Sequence, residues 1–404
     1  MSDTTFVDGT TPVPAAWFND VNIAIYRALG AAGVAPTTAT QVLNNLGIPA
    51  PGSYGKSANY TIVTADNGKI FDLSGGFFTM TLASPAGYPA AFKVVLVNKD
   101  TTRGKSMQIA GYSNFILWPG QNITVYNDNN TWVITPYPQR WVTANAPTFY
   151  VDNVNGNNLN DGLAAGTGNA FATVQYAVSV CQNNLDFQGA GHSIIQLTSG
   201  QTITEQVIVY GDLVANTEIY IQGDTSGTPA NWGNFIWQVP ASGIGISAKD
   251  GGYVTVQGIK MTSGGSGATG LLASQFGLID FQHIDFSTFT GGTHWQCNQL
   301  GILNMIGPYQ VSGNVTNHGA CTVLGMVNYG PTTVTLPNAL TVAGDFFAIT
   351  GGQISMAGVT FSGAGSGAGT TGQQYNVNVG ALFKGANTIP GNSAGTTSNG
   401  GVAV

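Results

Sequence analysis

Two short segments of the sequence, residues 294–304 and 318–328, repeat one another, and each opens on a histidine followed three positions later by a cysteine. His294 and Cys297 lead into Leu300, Gly301 and Asn304, while His318 and Cys321 lead into Leu324, Gly325 and Asn328. If the chain folds in coils of that period and the coils stack in register, His294 lies beside His318 and Cys297 beside Cys321. Two histidines and two cysteines are a familiar zinc ligand set. Coil repetition alone produces the same pairing, and buried free thiols are ordinary in an apolar core. Residues i and i+3 of an extended strand also point to opposite faces, which works against one shared ion. The four residues therefore leave two readings: a metal site, or stacked core residues with no cofactor.

Carboxylates offer a second chemistry. Glycoside hydrolysis uses a pair of carboxyl groups, about 5–5.5 Å apart for retention and about 6.5–9.5 Å for inversion. Asp280 and Asp285 share one strand segment across a corner and are the pair to test. Asp285 also falls one coil from Lys260, which makes a surface ion pair worth under about 1 kcal/mol an equally simple reading. Glu205, Asp212, Glu218, Asp224 and Asp250 fall in loops or early coils. Trp232, Trp237 and Trp295, with Tyr253 and Tyr309, have the side chains that stack on sugars, and the same side chains pack well in interiors and interfaces. No phosphate loop, nucleophile elbow or dinucleotide fingerprint is present.

These residues must be positioned by a repeat. Five segments share the pattern Gly-x-apolar-polar-apolar, starting at Gly252, Gly277, Gly301, Gly325 and Gly352, at offsets of 25, 24, 24 and 27. Three of them continue into a second strand pattern, Ile259–Met261, Ile284–Phe286 and Val359–Phe361, and Ile219–Gly223 reads as an earlier copy. A β repeat of this length with no helix inside it is what a parallel β-helix requires, each coil lying about 4.8 Å from the next. Between the two apolar positions of each segment runs an outward column: Thr255, Asp280, Asn304, Asn328 and Ser355. The helical periodicity from Phe171 to Cys181 reads as the cap that such a stack needs at its exposed end.

Composition agrees with an all-β fold. Of 404 residues only 29 are charged, 57 are glycine, and Glu205 and Glu218 are the two glutamates. The net charge of −7 is uneven: residues 147–404 carry three cations against eleven carboxylates. Three cations cannot form the basic stripe that nucleic acid needs, and no apolar run reaches a membrane-spanning length. The sparse, odd cysteines (Cys181, Cys297 and Cys321) imply no disulfide framework. Ahead of the repeat, residues 57–140 alternate short β-branched and aromatic runs with turns, the pattern of a small antiparallel β module. Residues 1–56 hold two short helices, the first with an apolar stripe of Phe18, Val21, Ile25 and Leu29 beside Trp17. Residues 141–380 would form the coils and 381–404 a low-complexity tail.

Several of these segments resemble known ones. Phe149 to Asp152, Gly156 to Leu163 and Ala170 to Gln175 are similar to the opening of the pectate-lyase-like β-helices of bacteriophage tailspikes. Asp8 to Pro12 with Ala15 to Asn22 resembles the N-termini of phage tail-fibre and tailspike proteins. Asp66 to Lys69, Gly120, Gln121 and Asn130 to Ile134 resemble a β module of phage fibres. The resemblance implies a virion protein assembled in the host cytoplasm, a homotrimer held to tail or capsid proteins through Trp17, Phe18, Val21 and Ile25. Its distal part would meet a glycan on the host surface. A tailspike depolymerase that cleaves host polysaccharide and a capsid-attached head fibre or decoration protein are the alternatives that the resemblance leaves open.

Overall fold

The computed structural model describes residues 53–136, 140–142, 146–186, 191–211, 218–385 and 388–404. The N-terminal stripe of Trp17, Phe18, Val21 and Ile25, and Asp212, lie outside the described residues. The chain divides into two compact units between Gln139 and Arg140, and both are mostly β. No helix among the described residues is long and apolar enough to cross a membrane.

In the first unit the chain alternates between two sheets. Ser53–Lys56, Ile70–Leu73, Lys93–Asn98, Asn122–Asp128 and Thr131–Thr135 form one. Tyr60–Thr61, Thr79–Leu82, Lys105–Ile109 and Phe115–Leu117 form the other. The expected antiparallel module is a correction. The first three strands of each sheet are parallel, and only the closing strands turn back antiparallel. Alternating apolar residues meet between the sheets, with Phe71, Met80, Leu96, Met107, Val125 and Trp132 at the centre. The loop after Lys93–Asn98 is pinned by a buried ion. Asp100 accepts from the Thr102 and Arg103 amides at 2.9 and 3.1 Å, from the Gly76 amide at 3.1 Å, and from Lys105 Nζ at 2.9 Å. Lys105 is fully buried. These donors outweigh the cost of burial and hold the Asp100 carboxyl well below its usual range.

The second unit contains a fifteen-stranded and an eight-stranded sheet, with parallel pairing from strand to strand. Partners sit one repeat apart: Val254 faces Ile279, then Leu303, Val327, Ile354 and Phe383. The outward column from Thr255 to Ser355 is in register throughout. Two rungs that the repeat pattern does not reveal come earlier, at Thr148–Val151 and His192–Leu197. Residues 381–404 are not a plain tail. Leu382–Lys384, Thr396–Thr397 and Val402–Ala403 extend both sheets by further parallel pairs.

The repeating glycine of the motif has a steric cause. A Cβ at Gly277 would lie 2.1 Å from the Ala248 carbonyl oxygen, and one at Gly301 would lie 2.2 Å from that of Ala273. Each glycine therefore lets the entering strand touch the backbone of the preceding coil. Just before it, the chain reverses through a two-residue turn whose central residues both have positive φ. Examples are Gln275-Phe276, Gln299-Leu300 and Val323-Leu324, closed by bonds from Gly277 N to Ser274 O, Gly301 N to Asn298 O and Gly325 N to Thr322 O. This is the type I′ geometry that favours Asn-Gly. Left-handed backbone costs a larger L-residue roughly 1–2 kcal/mol.

Helix α1, Val174–Asn184, packs Val174, Ala177, Val178 and Cys181 inward and touches Thr148–Val151, His192–Leu197 and Val207–Tyr210, among the leading strands of the two sheets. Thr173 Oγ1 caps it by accepting from Tyr176 N at 3.2 Å. The Glu205 carboxylate, far along the chain, accepts from Val174 N and Gln175 N at 2.7 and 3.0 Å. The negative charge thus sits on the positive end of the helix.

Candidate functional site

The column expected to face outward is a correction in part, since Thr255 is fully buried and Asp280 is 8% exposed, with its carboxylate already engaged. Asp280 Oδ2 accepts from the Tyr253 hydroxyl at 2.8 Å and Oδ1 from Asn304 Nδ2 at 2.9 Å. Asn304 in turn accepts from Asn328 Nδ2 at 3.1 Å. Asp285, buried like Asp280, does not join it. Lys260 Nζ stands 3.8 Å from one of its oxygens, and the other has no hydrogen-bond partner. The expected pair therefore divides between two local settings, one a hydrogen-bonded row and one a loose ion pair.

Glu218 belongs to the same surface as Asp280, a position that its location in an early coil conceals. Glu218 pairs with Tyr253 in the strand register, and Thr255 Oγ1 donates to its carboxylate. Burial, then Asp280, then Glu218 all push the Tyr253 phenol upward, so it stays protonated and donates. A second row runs parallel to the first. Gln222 Nε2 donates to Gln196 at 3.0 Å, Gln257 to Gln222 at 2.9 Å and Gln282 to Gln257 at 2.7 Å. Side-chain amides one coil apart match each donor to an acceptor, the arrangement seen in stacked parallel strands. Chemically the face is a set of fixed amide donors and acceptors around the Asp280 and Glu218 carboxylates, and each Asp280 oxygen already accepts one hydrogen bond.

The tryptophans correct the sugar-stacking expectation. Trp232, Trp237 and Trp295 are at most 2% exposed. Trp232, in the short helix Pro229–Trp232 of the insert, packs against His283, and Trp237 donates to the Glu205 carbonyl oxygen at 3.1 Å. Tyr309 is equally buried. In the first unit, a shallow depression of about 330 Å³ is lined by Asn59, Tyr60, Thr61, Thr79, Thr81 and Gln108, mainly hydroxyls and amides.

The histidines and cysteines of the duplicated segments lie in the core. Cys297 faces Cys321 across the parallel ladder, and their thiols are 2.8 Å apart and unbonded. His294 and His318 also meet, with Nδ1 atoms 2.9 Å apart. Opposite strand faces do not separate them here, because the alternation breaks at the neighbours His294 and Trp295, which both face the core. His294, Trp295 and Cys297 are consequently all buried. The two pairs do not converge on one point: among the described residues no group of three or more His, Cys, Asp and Glu side chains forms a ligand set.

Hydrogen bonding fixes the protons instead. His294 Nε2 is 2.9 Å from the Ser287 carbonyl oxygen, which can only accept, so that nitrogen carries the proton and Nδ1 is the acceptor. His318 Nδ1–H must then donate to it. That leaves His318 Nε2 to accept from the Tyr309 hydroxyl at 2.7 Å and from Trp295 Nε1 at 3.4 Å. Both rings are satisfied only when neutral. Burial among Phe286, Phe289, Phe346 and Phe347 pushes the His294 pKa down to about 3 and holds His318 well below 6.5.

No family model, no curated protein and no solved structure matches the chain.

Proposed function

We propose that the chain is a bacteriophage tail fibre or short tailspike, a virion structural protein whose second unit is a right-handed parallel β-helix. In this reading residues 1–56 attach three copies to the virion, and the coils present a surface to a host glycan. The observation that carries the reading is one unbroken column, Phe149, Ile195, Ile221, Val256, Phe281, Met305 and Tyr329, each paired in parallel with the next. It supports a stacked-coil body, and the resemblances at residues 8–22 and 149–175 supply the virion context. With the tryptophans buried, the outward glutamine and asparagine rows are the better surface for hydroxyl-rich ligands, because they offer fixed donors and acceptors.

The decisive experiment localises the N-terminus on a virion and weighs the purified chain by native mass measurement. A trimer with its N-terminus at the virion surface is expected, and a monomer would undo the assembly. Incubation with host polysaccharide tests the enzymatic alternative. Release of reducing ends that is lost with Asp280→Asn and Asp285→Asn would reassign the protein as a depolymerase.

A further inference from the structure

Six reversals ahead of the rungs are equivalent in backbone and unequal in side chains. At the two ends of the series the central residues are Asp250-Gly251 and Asn399-Gly400, which suit positive φ at both positions. Between them stand Gln275-Phe276, Gln299-Leu300, Val323-Leu324 and Val379-Gly380, with positive φ at every one of these residues. Phenylalanine, leucine and above all valine are poor choices there, and an isolated coil has no use for them. Their side chains leave the core: Phe276 is 69% exposed, Leu324 67%, Val323 59% and Val379 58%. Strained residues at a surface point to a demand from outside the coil.

The adjoining positions have the same character. The first residue of each rung pairs in register as Leu278, Ile302 and Met326, then Gln353, Leu382 and Val402. Met326, Leu382 and Val402 are exposed. Turn and rung together make an apolar stripe from Phe276 to Met326 that resumes at Val379, Leu382 and Val402 beyond the Gln353 rung. No charged residue interrupts these turn and rung positions from Tyr253 to Val402. The surrounding body carries eleven carboxylates against three cations, so the stripe is the line along which two such bodies approach without like-charge repulsion.

We infer that this stripe, Phe276, Leu300, Val323, Leu324, Met326 and Val379 at its centre, is the surface on which a second copy of the chain packs, coil beside coil. The stripe offers its apolar groups coil by coil, at the strand spacing of about 4.8 Å. A second ladder has the same spacing and meets every group, whereas a helix rising about 1.5 Å per residue drifts out of step. The inference rests on the self-assembly in the proposed function and adds which face is buried by it.

The test uses the full chain and a variant in which Gln275→Asn, Phe276→Gly, Gln299→Asn, Leu300→Gly, Val323→Asn and Leu324→Gly give the three middle turns the residues that their geometry favours. The variant should fold at least as well by circular dichroism and hydrogen exchange of the rung strands. Sedimentation should show its self-association weakened at least 100-fold. Equal assembly of variant and wild type overturns the stripe and leaves the fibre reading standing. A wild-type chain that is monomeric at every concentration overturns both, including the case in which residues 1–52 cover the stripe and protect it from footprinting.

Discussion

The two units solve the same problem, how to satisfy polar groups in stacked parallel strands, by different means. In the first unit the spacing between paired strands changes from one coil to the next. Ser53 pairs with Ile70, and Ile70 with Val95, so the second step is much longer than the first. Loops of unequal length cannot satisfy one another by repetition, and ions tie them down: Asp66 to Lys69 at 2.7 Å, and Asp100 to the buried Lys105. In the middle of the second unit the steps from Val254 to Ile279, Leu303 and Val327 are nearly equal, and pairing in register brings each amide to its own kind. Glutamine meets glutamine, asparagine meets asparagine, and even histidine meets histidine. Regularity thus replaces charge, which is why the longer unit manages with so few cations.

That contrast is easiest to break at Asp100. Asp100→Ala strands the Lys105 ammonium in the core and should cost about 3–5 kcal/mol. Denaturant unfolding followed through Trp132 should report the loss, and a change below about 1 kcal/mol, the range of exposed pairs, would mean that the ion pair is dispensable.

Acid separates the units next. A histidine whose folded pKa lies below the ordinary 6.5 contributes fully above that pH. As pH falls below 6.5 the unfolded chain takes up the proton first, and stability drains until the folded value is reached. For His294, with a folded value of about 3, the loss at pH 4.5 is about 3 kcal/mol, and His318 adds to it in the same direction. The depressed carboxyls of Asp66 and Asp100 act only lower. Their contribution is present above 3.8 and disappears as pH falls through their folded values. Hydrogen exchange between pH 7 and pH 4.5 should therefore rise around Phe286–Phe347 before it rises around Phe71–Val125. Simultaneous loss in both units would sink the distinction.

Gly319→Ala probes the regular unit directly. Its methyl would sit 2.0 Å from the Trp295 ring, an overpacking worth about 2–3 kcal/mol, read as a lowered melting temperature. The smallest effect belongs to Asn328→Ala, which removes the last link of the Asp280–Asn304–Asn328 row and should cost about 1 kcal/mol. A cost no greater than that of an exposed loop asparagine would mean that the row contributes nothing.

Much of the second unit was legible in the order of its residues. Gly277, Gly301 and Gly325 mark where coils touch, and the apolar residues after them announce the register, so the outward column could be read to the residue. The rungs at Thr148–Val151 and His192–Leu197 were hidden because a helix and irregular loops interrupt the spacing there. Thr396–Thr397 looks like low complexity because its pairing is with Asn376 and Val377 and not with anything local. The parallel start of the first unit was equally obscure, since the unequal steps from Ser53 to Ile70 to Val95 show no period. At the candidate site, the meeting of His294 with His318 and of Cys297 with Cys321 followed from their equal separation along the chain. Their common burial did not, because it depends on a break in alternation at His294 and Trp295 that no residue type announces. The fate of Trp232 turned on how its own insert folds, and inserts have no period to read.

The glycine contact between neighbouring coils has a consequence for how such a protein changes over generations. In the ladder each strand pairs only with the one before and the one after, and from Val254 to Val327 the pairing is nearly the same at every step. An in-frame duplication of a single coil therefore brings its own complementary surfaces with it. Residues 294–304 and 318–328 share a histidine, a cysteine, a leucine, a glycine and an asparagine at the same positions, the likeness that such a duplication would leave. Length in this molecule can be inherited in whole steps of about 4.8 Å, without any redesign of the parts already present.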